Sequence, residues 1–292
     1  MAPRAAELGG GRVGARGRLF VGLLTAGVLS WLWLGLDPAK LLPRAPHRLV
    51  EFFGAALHPT LVSEAGVVPD RLIVGENLLQ GLLNTVLFAA AAMSLAIPAG
   101  FVLGFLGTPA WWEDDCEGAR RRSPFCFCRF LGPLLKNGTR LLATFLRSIH
   151  ELFWAVLLLA AFGPLPSTGI LALFLPFAGT LGKIYAEMVE ETPRDAGLAL
   201  RDLGARPVQV FLFGLLPRAL PDMTAYTLYR FECALRSSAV LGFFGFQTLG
   251  YFIKLSFDEN LYHEVWTYLW GLVLLVVLTD SLSGALRRRF VA

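Results

Sequence analysis

The sequence is poor in charge for its length. Only 16% of its 292 residues are Asp, Glu, Lys or Arg, whereas 55% are hydrophobic. A soluble domain of this size carries a larger share of charged residues, because most of its surface faces water. The shortage of charge therefore excludes an ordinary soluble protein and favours one whose surroundings are lipid.

Residue patterns for catalysis and metal binding are also missing. The chain has four histidines and four cysteines, with no HExxH, Ser–His–Asp or paired-carboxylate pattern. Residues 179–183 mimic the end of a nucleotide-binding loop, but Phe177 and Ile184 replace the Gly and the Ser/Thr that this loop requires. The sequence therefore predicts no catalytic residue, no metal site and no cofactor bound by this chain.

Long apolar runs are what the sequence has in abundance. A helix needs about 20 mostly apolar residues to cross a bilayer. Runs of suitable length or nearly so lie at 19–36, 82–106, 139–163, 170–186, 223–246 and 265–286. They predict an all-α, polytopic membrane protein with about six transmembrane helices. The first run is longer than a signal-peptide core and lacks a small-residue cleavage site, which indicates a retained anchor.

Basic residues alternate with near-neutral connections between these runs. Arginines cluster in residues 1–18, 107–136, 191–220 and 287–289. Because basic loops remain cytoplasmic, both termini and the 191–220 loop are predicted inside. The net charge of +4 then reflects topology and requires no nucleic acid. The predicted organisation is a basic cytoplasmic tail, an anchor, an extracytoplasmic connection and a transmembrane domain, at 1–18, 19–36, 37–77 and 78–292.

A short amphipathic helix is predicted in the 191–220 loop. Thr192 is a good N-cap, Pro193 suits the first helical position, and Gly204 followed by Pro207 ends the helix. A helix over 193–203 is about 16 Å long and cannot span a membrane. It either packs on its own protein or on lipid, or it docks into a groove of a soluble partner. Its apolar stripe consists of Ala196, Ala199, Leu200 and Leu203.

Residues 198–217 follow the spacing of a known motif, which is Glu-Ala-Ala, three residues, Gly, nine residues, a hydrophobic residue, any residue and Leu-Pro. With this spacing, the elements around the helix resemble the conserved cytoplasmic loop of permease subunits of binding-protein-dependent ABC importers. Leu198 replaces the acidic residue of that loop's motif, and Gly214 replaces its usual aliphatic residue. The other segments at 141–173, 179–191 and 226–245 are similar to phosphonate-type permeases, including phosphite-transporting relatives. The residues that stand at the motif's spacing are Leu198, Ala199, Leu200, Gly204, Gly214, Leu216 and Pro217.

The resemblance implies a type I importer permease fold in a bacterial inner membrane. It implies ATP-driven uptake of phosphonate, phosphite or phosphate by a homodimer of this chain, two cytoplasmic ATPase subunits that bind ATP and Mg²⁺, and an extracytoplasmic solute-binding protein. The alternatives are a secondary transporter or channel of another class, or a membrane-embedded enzyme. The residues that the resemblance assigns to ATPase coupling are Ala196, Ala199, Leu200, Leu203 and Gly204.

Ionisable residues inside predicted spans are candidates for function. Arg147 with Glu151, and Glu232 with Arg236, have i, i+4 spacing, so each pair could neutralise itself on one helix face. Alternatively, Arg236 could contact an anionic substrate transiently, because a guanidinium group matches phosphonate oxygens. The sequence leaves both roles open. The predicted pathway residues are Arg147, Glu151, Glu232, Arg236, Ser237 and Ser238.

Overall fold

The computed structural model describes residues 15–35, 46–62, 73–108 and 128–290. The chain divides into two compact units, 1–51 and 52–292. The first unit contains α1 (Ala15–Trp33), which covers most of the predicted anchor, and the beginning of α2 (Pro46–Ala55). Most of the predicted basic tail and residues 109–127 of the predicted inner loop lie outside the described residues.

The second unit is built from helices, and the described part of the chain contains no strand. A turn of π-helix and one of 3₁₀-helix interrupt the α-helices. In chain order, the elements are α3 (Ile73–Gly107), α4 (Cys128–Ser148), α5 (Glu151–Phe162), α6 (Pro166–Glu191), α7 (Asp195–Asp202), α8 (Pro207–Gln209), the π-helix Val210–Leu215, α9 (Leu216–Leu241), the 3₁₀-helix Gly242–Phe244, α10 (Leu249–Asp258) and α11 (Tyr262–Phe290).

In the described ranges, three helices are each long and apolar enough to cross a bilayer. Two further pairs of helices, each bent at a short break, are long and apolar enough when the two helices are counted as one span. The described residues therefore contain three to five candidate spans and a shorter apolar helix, Gly17–Trp33. The sequence predicted about six spans. The single helices are Val74–Gly107, Pro166–Glu191 and Tyr262–Arg288. The pairs are Pro133–Ser148 with Glu151–Phe162, bent by 88°, and Val210–Phe244 with Leu249–Asp258, bent by 44°.

Small residues bring α3 and α6 into close contact at the centre of the second unit. Gly100 and Gly104 on α3 lie against Gly182 on α6. A Cβ atom at Gly100 would stand 2.6 Å from the Cβ of Leu181, and one at Gly182 would stand 2.6 Å from the Cβ of Leu103. Membrane helices lack a hydrophobic drive to associate, so such close backbone packing is a main source of their cohesion. α3 and α6 therefore form the closely packed centre of the second unit.

Candidate functional site

The predicted short helix forms as α7, directly after α6. It spans Asp195–Asp202, so the prediction of 193–203 was too long. The predicted N-cap was wrong. Thr192 ends α6, where its hydroxyl donates to the Met188 carbonyl at 2.9 Å, and Arg194 precedes α7 without a side-chain cap. Thr192 therefore belongs to the end of α6, and α7 begins three residues later.

The predicted end of α7 at Gly204 is confirmed. Gly204 has φ +83°. Its N–H donates to the Arg201 carbonyl at 2.8 Å, and the Ala205 N–H donates to the Leu200 carbonyl at 3.0 Å. These two bonds form a Schellman motif. Among the described residues, apart from its two chain neighbours, no atom lies within 4 Å of the position that a Cβ of residue 204 would take, so the backbone conformation, and not space, requires glycine here.

α7 is seated on the π-helix through two glycines. A Cβ at Gly214 would lie 3.2 Å from the Gly197 Cα, and a Cβ at Gly197 would lie 3.2 Å from Cγ1 of Val210. The departure of Gly214 from the aliphatic residue of the motif is explained by this contact, because a side chain there would push α7 away. Gly197 was missed at the sequence level, since its role depends on a residue 17 positions further along the chain.

The apolar stripe of α7 is divided between two sides. Leu200 is partly buried against the protein's own π-helical turn, and Ala196 is also partly buried. Ala199 and Gly204 are exposed, and Leu203 is 84% exposed. Leu198, which stands where the motif has an acidic residue, is also exposed. The helix therefore packs on its own protein with one side, and its other side exposes Leu198, Ala199 and Leu203 together with Asp195 and Asp202.

An ion pair that sequence reasoning missed holds the end of α6 beside α7. Arg140 on α4 pairs with Glu190 on α6, and its Nε donates to the Gly107 carbonyl at 2.9 Å. One side chain thus joins α4 to the ends of α3 and α6. A cavity of about 170 Å³ lies beside it, and the ion pair of Lys183 with Glu187, at 3.1 Å, also borders this cavity.

A second cavity shows which ends of the helices lie together. It measures about 600 Å³, and Glu191, Pro193, Arg218, Asp222 and Arg287 are among its lining residues. The end of α6, the beginning of α9 and the end of α11 therefore meet at the same end of the bundle as α7. The Nη1 of Arg218 donates to the Pro193 carbonyl at 3.4 Å and so links α9 to the linker before α7.

The predicted helical pair of Arg147 and Glu151 was wrong. The chain bends by 88° between α4 and α5, so the two residues belong to different helices. His150 causes the break, because its backbone is extended and its Nδ1 accepts the Leu152 N–H at 3.3 Å as an N-cap. Glu151 instead accepts a hydrogen bond from Ser237 Oγ at 2.6 Å.

The predicted pair of Glu232 and Arg236 forms on α9. The Arg236 Nη2 lies 3.3 Å from Oε1 of Glu232. The Glu232 side chain is only 12% exposed, whereas that of Arg236 is 51% exposed. The buried carboxylate thus has a partner, and part of the guanidinium group remains accessible.

The two serines after Arg236 have different surroundings. Ser237 is partly exposed and donates to Glu151, which joins α9 to α5. Ser238 is fully buried and donates to the Thr85 carbonyl of α3 at 2.9 Å. In this conformation Ser238 contributes to helix packing, and Ser237 and Arg236 lie at the surface of α9.

The fold is similar to that of a chain in a solved ABC transporter. It matches a chain of the MetNI methionine ABC transporter in an inward-facing conformation with a TM-score of 0.61. The match covers 78% of this chain and 99% of that chain at 19% identity. At this identity the similarity concerns the fold alone, and it confirms the predicted permease architecture.

The sequence matches a family of transport proteins over more than half of its length. Residues 126–292 match the model described as "Binding-protein-dependent transport system inner membrane component". The phosphite transport system permease protein PtxC of Stutzerimonas stutzeri is 31% identical over 80% of this chain and 78% of its own length. The putative phosphite transport system permease protein HtxE of the same organism is 34% identical over 68% and 79%. This chain therefore belongs to the binding-protein-dependent permease family.

Family membership decides between the functional classes that the sequence left open. The predicted class, a multi-pass permease of an ABC importer, is confirmed. It replaces the two alternatives, a secondary transporter or channel of another class and a membrane-embedded enzyme.

Proposed function

We propose that this chain forms the translocation pathway of an ATP-driven importer for phosphonate-like oxyanions, and that it is coupled to ATP hydrolysis through α7. The observation that carries the proposal is that Leu198, Ala199 and Leu203 are exposed on a helix whose other side is fixed by Gly197 and Gly214. A short amphipathic helix of this kind suits a hydrophobic groove of a soluble subunit. That subunit would bind ATP and Mg²⁺.

The base of α7 is suited to transmit movement into the membrane domain. Thr192 and Pro193 connect α7 directly to α6, and Arg140 on α4 joins the end of α6 to that of α3. Interfaces this closely packed move as units and do not deform gradually. A displacement of α7 by an ATPase subunit would therefore move the ends of several helices together.

The substrate class is supported by the named relatives and by the chemistry of α9. Both relatives cited above are named as phosphite transport permeases. Arg236 offers a partly accessible guanidinium group, which matches the oxygens of phosphite, phosphonate or phosphate. Its bond to Glu232 competes with any bound anion. Such a residue would contact the substrate transiently without holding it, as an importer requires.

The partners and orientation follow from the same proposal. Two copies of this chain would enclose the pathway between them, with two ATPase subunits on the α7 side and a solute-binding protein on the opposite side. The basic residues Arg194, Arg201, Arg218 and Arg287 lie at or near the α7 end of the bundle, which favours its placement in the cytoplasm together with both termini.

Purification and transport together test the proposal. The tagged chain is purified from membranes of its host, its co-purifying subunits are identified, and the complex is reconstituted in liposomes with its binding protein outside. We expect uptake of radiolabelled phosphite, phosphonate or phosphate only when ATP is enclosed in the liposomes. Uptake driven by an ion gradient without an ATPase subunit would contradict the proposal. ATP-dependent uptake of another solute class would overturn the substrate assignment alone.

A further inference from the structure

The segment of residues 52–62 is fixed to the beginning of α11 by two tryptophan side chains. The Trp266 Nε1–H donates to the Phe52 carbonyl at 2.6 Å, and the Trp270 Nε1–H donates to the Ala56 carbonyl at 3.0 Å. Phe52 also packs on the Trp266 ring, with 5.3 Å between the ring centroids. The indole groups thus satisfy backbone carbonyls at the end of α2 that have no helical partner of their own.

Two further side chains of α11 hold the same segment. The Thr267 hydroxyl donates to the Thr60 carbonyl at 2.7 Å and accepts the Thr60 N–H at 3.0 Å. The His263 Nδ1 lies 2.8 Å from the His58 carbonyl oxygen. Residues 263, 266, 267 and 270 have i, i+3, i+4, i+7 spacing, so the segment lies along one face of the helix.

The same face of α11 continues beyond the segment as an exposed apolar stripe. Val273, Leu274, Val277 and Leu278 are all at least half exposed, and they lie within the candidate span Tyr262–Arg288. Exposed apolar side chains in the middle of a membrane helix suit contact with acyl chains. The 52–62 segment therefore covers the end of a lipid-facing surface, at the end of α11 opposite Arg287 and α7.

The outward side of the segment is itself apolar. Phe53 is 60% exposed and Leu57 is 81% exposed, and Leu61 is also exposed. The bonds from α11 hold the backbone of the neighbouring residues Phe52, Ala56, His58 and Thr60. Surrounded by water, the exposed apolar side chains would be a hydrophobic patch without a function.

We propose that residues 52–62 form an interfacial anchor, in which Phe53 and Leu57 insert into the boundary between head groups and acyl chains of the leaflet opposite α7. Trp and Tyr are enriched at this depth of the bilayer, and Tyr262, Trp266 and Trp270 supply them here. Amphipathic segments at membrane surfaces bury their apolar side about 5–10 Å into this boundary. The anchor fixes the height of α11 in the membrane.

Spin-label accessibility tests this placement. Nitroxide-labelled single cysteines are introduced at Phe53 and Leu57, in the complete complex in phosphatidylcholine liposomes, after replacement of the four native cysteines. Glu259, exposed in the turn before α11, is the aqueous control, and Leu278 is the lipid control. We expect a ratio of collisions with oxygen to collisions with nickel-EDDA that is several-fold higher at 53 and 57 than at 259, and lower than at 278.

Two outcomes would overturn the proposal. A ratio at Leu57 equal to that at Glu259 would place the segment in water. Protection of Leu57 from both reagents, alone or after addition of the binding protein, would show that a protein surface covers it.

If a label at 53 or 57 prevents assembly, Leu61 provides the same comparison, and the label there is read in the same way. Trp270→Phe, which removes only the indole donor, should increase the mobility of a label at 57.

Discussion

Gly204 ends α7 in a left-handed conformation that costs L-residues roughly 1–2 kcal/mol, and β-branched residues more. Gly204→Val should therefore distort the end of α7 beside the exposed Leu203. We expect binding-protein-stimulated ATP hydrolysis and uptake to fall several-fold, while the amount of chain inserted in the membrane remains normal. ATPase assays of the reconstituted complex measure the first effect, and quantitative blotting of membranes measures the second.

The control for Gly204 uses the same position. Asn tolerates the left-handed conformation better than any β-branched residue, and the space around residue 204 is open. Gly204→Asn should therefore retain most of the stimulation. Normal stimulation in the Val variant, or equal loss in the Asn variant, would show that the conformation of this residue is not what coupling needs.

Glu232 and Arg236 allow their two proposed roles to be separated. Removing Arg236 leaves the largely buried Glu232 carboxylate unpaired, which is strongly destabilising for a buried pair. If pairing is the main role, Glu232→Gln and Arg236→Gln should each reduce assembly, and the double variant should regain much of it. Size-exclusion chromatography measures assembly, and uptake is measured on the same samples.

The substrate role of Arg236 predicts a different pattern of transport. The double variant should assemble but transport poorly, because the guanidinium group that contacts the oxyanion is absent. A well-assembled Arg236→Gln complex with full transport would eliminate this role. Ser238→Ala is a useful comparison, since Ser238 is buried against Thr85 and its loss should affect packing alone.

The residues that could be predicted from the sequence are those whose role is set locally. The left-handed Gly204 and the Glu232–Arg236 pair depend on neighbours within a few positions, and both form as predicted. The Arg147–Glu151 pair failed because the i, i+4 rule assumes one continuous helix, and the N-cap at His150 breaks it. The bond of Glu151 to Ser237 joins distant segments and leaves no local pattern.

The packing of α7 on the π-helix depends on the absence of side chains at two positions. In Gly214→Val, the new side chain would meet the Gly197 backbone, and overpacking of this kind costs about 1–3 kcal/mol. α7 should then separate from the π-helix. We expect weaker coupling and faster maleimide labelling of a cysteine at Ala196, which is partly buried in the native structure.

A glycine in open space provides the matched comparison for Gly214. Gly138 lies in α4, and its φ is not positive. In the described part of the chain, outside its own helix backbone, no atom lies within 4 Å of the position that a Cβ of residue 138 would take. Gly138→Val should leave labelling at Ala196 and the stimulated ATPase activity close to those of the parent. Unchanged labelling in Gly214→Val would contradict the described seating of α7.

Element boundaries were predictable where hydrophobic periodicity and turn residues agree. The short helix in the 191–220 loop illustrates this, although Thr192, its predicted N-cap, ends the preceding helix α6. Two bends could not be predicted, one within residues 139–163 and one after α9. An apolar run has the same sequence pattern whether the helix within it is straight or bent. The capping bond of His150 and the contact of Asn84 with the Gln247 carbonyl, at 2.7 Å, exist only in the folded chain.

At the scale of the whole molecule, the all-helical membrane class followed from composition, and the family followed from a short motif with a defined spacing. The arrangement of helix ends did not. Arg140, Glu190 and Gly107 are far apart in the sequence, yet they join three helices next to α7. Such long-range contacts between polar groups have no periodicity that a single sequence can reveal.

The central claim is that the exposed face of α7 binds the ATPase subunit, and site-specific photo-crosslinking tests it most directly. A benzophenone amino acid is placed at Leu203 and Leu198 on the exposed side of α7, and at Leu200 on the seated side, in the complete reconstituted complex. We predict that Leu203 and Leu198 crosslink to the ATPase subunit and that Leu200 crosslinks within its own chain. Crosslinking of Leu203 only to lipid or to its own chain, in a complex that hydrolyses ATP, would contradict the account.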